Sequence, residues 1–267
     1  MEITFSSRNE LSQYEWDSQQ KRWNRPEIDS AFLKQLSERS SLNGLARLAL
    51  YFGLLALSAI VTIYVHQFSL VLAIIPLYVY YFLYGFMVAI AHEFQHKTIL
   101  AKLLEWFGEI IFYVVQALIW NSPRYARISH RPHHRYTMIR GIDPETDWPE
   151  VITSTWLRNY LLGLILRILV VGAVYNLFKD IWVQIKRVAG VKDRMMRDHC
   201  SPRDITVIRI ESLGILLFHA AIVAIAIYWG VWQLVFFITI AWQIGMGIEH
   251  LWHQTEHIGR PYNVCLL

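Results

Sequence analysis

No Asp, Glu, Lys or Arg occurs from Leu48 to Ala91, a run of roughly 44 residues, and none occurs from Ser212 to Ile248, roughly 37 residues. A helix needs about 20 apolar residues to cross a bilayer, so each run is long enough for two crossings joined by a tight turn. Turn signals sit near the middle of each run: His66-Gln67-Phe68-Ser69 in the first, Trp229-Gly230-Val231-Trp232 in the second. The whole chain is 55% hydrophobic and 17% charged, with a mean hydropathy of +0.30, which is apolar for a soluble domain. The sequence therefore predicts an all-α integral membrane protein with four spans in two hairpins, near 48–65, 70–91, 212–229 and 231–248.

The basic residues set the orientation. Of the 25 Lys and Arg, seven precede Leu48, seventeen lie between His92 and Arg209, and the last is Arg260, so neither turn holds one. Under the positive-inside rule, both termini, the N-terminal segment 1–47 and the long middle segment are cytoplasmic. The net charge of +4 and pI near 9.0 do not indicate a nucleic-acid partner, because these residues border the apolar runs on one face. The two cysteines, Cys200 and Cys265, are too few for a disulfide scaffold. The stretch from Glu2 to Arg47 is charged and has no early apolar run, so no cleaved signal peptide is expected. One domain, 1–267, accounts for the chain.

Two shorter apolar stretches lie in the middle segment, Ile110 to Trp120 and Leu157 to Phe178. The first is short for a span, and the second carries Arg158 and Arg167. An arginine at mid-bilayer costs about 2.5 kcal/mol or more. Both are expected to be helices at or dipping into the cytoplasmic interface, followed by a charged linker from about 179 to 209.

Eight of the eleven histidines fall in three clusters at the cytoplasmic ends of the spans or between them. The first is His92-Glu93-Phe94-Gln95-His96, where positions i and i+4 put both imidazoles on one helix face. The second is His130-Arg131-Pro132-His133-His134, in which Pro132 is expected to begin the helix. The third places His250, His253 and His257 three and four apart within Glu249 to His257. His66, His199 and His219 stand alone and are read as interfacial. A single pair at i and i+4 is often coincidental, but three clusters on one side of one membrane protein read as a metal centre. Imidazole ligation without thiolates suits zinc, copper or iron. One zinc would take three or four ligands, and this set is larger, so two ions with open positions for oxygen chemistry fit better. Glu93, Asp143, Glu145, Asp147 and Glu256 stand near enough in sequence to orient the rings, and each also reads as a solvated acid or helix cap.

At these residues the sequence resembles the membrane fatty acid desaturase superfamily, which includes hydroxylases, ketolases and alkane oxygenases. Ala91 to Thr98 is similar to its first histidine box. Tyr125 to Thr137, followed by Gly141-Ile-Asp-Pro-Glu145, is similar to its second. The resemblance implies four spans under a cytoplasmic cap that carries two non-haem iron ions. It implies His92, His96, His130, His133 and His134 as ligands. The segment Glu256 to Gly259 resembles a stretch that supplies a further ligand, making His257 the next candidate and His253 the one behind it. The family then runs on to a third His-x-x-His-His box. This chain stops at Leu267 without one, so it is expected to be C-terminally truncated and to bind iron poorly.

The resemblance further implies O2-dependent desaturation of an acyl chain or related lipid, with electrons from an external ferredoxin-like or cytochrome donor. No Gly-x-Gly-x-x-Gly run or haem-attachment motif is present to supply them internally. Hydroxylation or ketolation on the same ligands remains open. So does an intramembrane zinc protease built on His92-Glu93-x-x-His96, with Glu93 as base. An inactive truncated membrane protein is the third alternative.

Overall fold

The computed structural model describes residues 3–4, 29–136, 143–145 and 151–257. Apart from a two-residue antiparallel pairing of Ile3 with Ile152 and Thr4 with Val151, these residues form helices and their connections. A short helix α1, Ser30–Leu36, precedes the first hairpin. Its arms are α2, Ser41–His66, and α3, Leu70–Gly85, and α4, Met87–Gln95, continues the second arm past a break at Phe86. Ser40 and Ser69 cap α2 and α3, their hydroxyl oxygens accepting from Asn43 N and Leu72 N. The turn falls at Gln67 to Ser69, inside the turn expected from the sequence.

The second hairpin begins with α10, Pro202–Trp229, whose start carries a Ser201/Asp204 capping box with Pro202 in the first turn. Gly230, at φ 68°, ends it in the left-handed region. The return arm is not a continuous α-helix: Val235–Thr239 is π-helical, and α11 then runs Ala241–His257. Among the described residues, three helices are long and apolar enough to cross a membrane: Ser30–His66, Leu70–Gln95 and Pro202–Trp229.

Between the hairpins lie α5, Glu105–Leu118; α6, Pro123–Tyr136; α7, Ser154–Ile168; α8, Val170–Val188; and α9, Arg194–His199. The α5–α6 pair bends by 95° and the α7–α8 pair by 93°, so each is either a broken span or a re-entrant element. The charged linker expected from 179 to 209 is mostly helical. On α8, Asn176, Asp180, Gln184 and Arg187 face inward, while Val171, Tyr175, Phe178 and Trp182 are exposed. This polarity is inverted relative to a soluble helix, and the boundary expected near 179 falls inside this one helix.

The same inversion holds across the molecule. Leu50, Ile60, Leu70, Ile75 and Tyr228 stand exposed, a surface that water would not tolerate and lipid favours. The interior mixes Tyr81, Tyr84, Phe112 and Val115 with buried Gln116, Gln184 and Gln243. His219 belongs to this interior and is not interfacial. Its ring stacks on Trp120 at 3.8 Å, Nε2 donates to Ala117 O at 3.1 Å, and Nδ1 is left to accept from Thr239 Oγ1 at 3.3 Å. At Gly85 and Gly245 the hairpins approach backbone to backbone, and a Cβ on Gly85 would stand 2.4 Å from Gly245 O. This contact sets α3 against α11, a few residues ahead of His92 and His250 along the chain.

Candidate metal centre

His92 lies in the last turn of α4 and His96 caps it, one turn further on. Helix α6 starts at Pro123, not at Pro132 as expected, because Ser122 already caps it, its Oγ accepting from Tyr125 N at 3.1 Å. Pro132 is carried inside the helix, where it lacks an N–H to donate. One helix therefore presents His130 and His134 together, a turn apart.

The two pairs meet. Nε2 of His96 lies 2.9 Å from that of His130 and 3.0 Å from that of His134, and the last two are 2.8 Å apart. With His92, four ring nitrogens lie within 4.8 Å of one another, a group able to hold a metal ion. Hydrogen bonds do not explain a closed triangle of three such nitrogens, because neutral imidazole has one N–H and the remaining lone pairs repel. Bonds of about 2.1 Å from one ion place neighbouring nitrogens roughly 3.0–3.4 Å apart, near the spacing seen. Protonation is disfavoured here. Burial, then the His130 ring, holds His96 below its ordinary value, and burial with His130 and His96 brings His134 down to about 4. Neutral rings are the form that binds a metal.

His133 lies outside this group of four. Its Nδ1 stands 3.0 Å from both carboxylate oxygens of the buried Asp143, to which a ring N–H there donates. Burial opposes charge on His133, but the hydrogen bond and charge of Asp143, with Glu145, outweigh it and raise the pKa. Glu145 accepts from Ser129 Oγ at 2.8 Å and lies 3.6 Å from His130 Nδ1 and 3.9 Å from His133 Nε2. Burial opposes its charge too, yet His130 and His133 hold its carboxyl below the usual range. The Asp143-Pro144-Glu145 turn thus grips the back of the second box, as metal-site carboxylates do. Glu93 accepts from Thr98 Oγ at 2.5 Å, 3.6 Å from His92 Nδ1.

Helix α11 carries His250, His253 and His257 on its last turns. His250 is half-buried beside Glu249. The side chains of His253, His257 and Glu256, and all of Asp147, lie outside the described residues.

A family model described as fatty acid desaturase matches residues 67–264. The chain belongs to the fatty acid desaturase family. Both histidine boxes of this desaturase-family chain, and α11 with its three histidines, fall inside the match. No curated protein and no solved structure matches the chain.

Sequence reading missed Ser129 and Thr98, which are ordinary polar residues until the fold sets them against Glu145 and Glu93. It also missed Arg39, whose partners lie about sixty positions away.

Proposed function

We propose that this chain is an O2-dependent di-iron oxidoreductase that desaturates a fatty acyl chain or related lipid. The observation that carries the reading is the four-histidine cluster of His92, His96, His130 and His134, which lies within the residues the desaturase family model matches. An all-imidazole donor set free of thiolates suits iron, copper or zinc, and the family match favours iron among them. When bound, the iron pair activates O2 for removal of hydrogen from an unactivated C–H bond. Overall, two hydrogens leave adjacent carbons to give an alkene, and two electrons from the donor with two protons complete the reduction of O2 to two waters. His133, His257 and His253 are the further ligand candidates.

The protein's own contribution is placement. Asp143 fixes the ring of His133, Glu145 holds that of His130, and the crossing at Gly85 and Gly245 packs α11 on α3, the helix that leads into box one. In this reading the two hairpins form four spans, with the π segment interrupting the last. The boxes and both termini face the cytoplasm, where a basic surface suits an acidic ferredoxin-like or cytochrome donor. Glu93 is turned to Thr98, which does not favour its use as a zinc protease's base. The test is product analysis. Cells given defined acyl chains should form an alkene that a His134→Ala variant does not form; an alcohol or ketone instead would reassign the reaction within the family.

A further inference from the structure

Helix α4 ends in a Schellman turn: Lys97 N donates to Phe94 O at 3.1 Å and Thr98 N to Glu93 O at 3.2 Å. The residue after the cap in this motif takes a left-handed conformation and is usually glycine. Here it is Lys97, at φ 57°, directly after His96. A Cβ makes that conformation unfavourable, so it persists only where surrounding contacts fix it.

Those contacts come from the segment ahead of the first hairpin. Arg39 Nη1 donates to Lys97 O at 2.7 Å and Leu100 O at 3.1 Å, and pairs with Glu105 Oε1 at 3.1 Å. Glu105 also takes Lys97 Nζ at 3.3 Å. Two residues on, Ser41 Oγ accepts from Ala101 N at 3.1 Å, and Gly44 packs against the backbone of Ile99. Arg39, Ser41 and Gly44 all precede the matched residues 67–264, so this side of the clamp lies outside the match while the loop it holds lies inside.

We propose that Arg39 is a positioning residue for the metal centre, holding the strained turn at Lys97 that fixes where His96 ends α4. It touches no ligand and acts through the loop at 97–101. The inference rests on His92, His96, His130 and His134 binding metal, and its test separates the two. The purified full chain and its Arg39→Ala, Lys97→Gly and doubly substituted forms are titrated with cobalt(II), read by its visible spectrum. Hydrogen exchange at residues 97–101 is followed in the metal-free proteins.

Arg39→Ala is expected to weaken cobalt binding about tenfold, the lower end of what outer partners of a metal site supply. It should also speed exchange in the loop. Adding Lys97→Gly should restore most of the affinity, because glycine takes a positive φ without strain; a merely structural role for Arg39 would not be rescued at that one position. Wild-type affinity in Arg39→Ala, or a double variant no better than Arg39→Ala, overturns the proposal. An unsubstituted chain that takes no cobalt contradicts the metal site itself. Exchange then decides the inference alone, and an unchanged rate at 97–101 overturns it.

Discussion

His134 and His133 respond to pH with opposite signs. The folded-state pKa of His134, about 4, lies below its ordinary 6.5, so an unfolded chain takes up the proton first as pH falls. Its contribution to metal-free stability is full above 6.5 and is lost between there and about 4. Thermal unfolding should show this slope, and His134→Ala should flatten it. His133, raised through Asp143, contributes below 6.5 and loses that contribution as pH rises through its folded pKa. Asp143→Asn should therefore reduce stability at pH 6 more than at pH 8. With its carboxylate accepting from Thr98, Glu93→Gln should leave metal content unchanged and product formation within about threefold, whereas a general base would account for 100-fold or more. The meeting of His92 and His96 with His130 and His134 was legible because their spacing is one that a helix repeats on a single face. The clamp from Arg39 and the burial of His219 were not, because each depends on a partner that only the fold brings near.

At the two turns the hairpin helices follow from the sequence, α2 ending at His66, α3 starting at Leu70 and α10 ending at Trp229. Helices α2 and α10 start at Ser41 and Pro202, ahead of the charge-free runs. Freedom from charge set their interiors, and Ser40, Ser69, Ser201 and Gly230 set their ends through ordinary capping chemistry. Helix α8 crosses the boundary expected near 179, because its charged and amide residues line an inward stripe that continues the helix past Phe178. The π segment Val235–Thr239 left no sequence signal, being apolar throughout. What joins the hairpins is the close crossing at Gly85 and Gly245. A Cβ on Gly245 would stand 2.7 Å from Gly85 N and Tyr81 O, backbone atoms that cannot rotate aside. Gly245→Ala should destabilise the detergent-solubilised protein by about 2 kcal/mol, in the range of an overpacked core. At Gly53, where a Cβ meets nothing within 4 Å, the same substitution should be neutral or stabilising. Thermal melts of the two variants would compare them directly.

At the scale of the whole molecule, the two charge-free runs determined more than any motif. They required lipid-facing helices, and the exposed apolar surface of the folded chain agrees. Sidedness rests on where the basic residues fall. In a cysteine-free background, Gln67→Cys should react with an impermeant maleimide on intact cells, and Lys192→Cys only after permeabilisation. In the proposed reading, both boxes together hold iron. The most direct measurement is the metal content of the full chain purified with iron and zinc both available during expression, alongside His134→Ala. Iron in preference to zinc, even at the low occupancy expected without a third box, is the predicted result, with its loss in His134→Ala. About one zinc per chain, unchanged by His134→Ala, would contradict it.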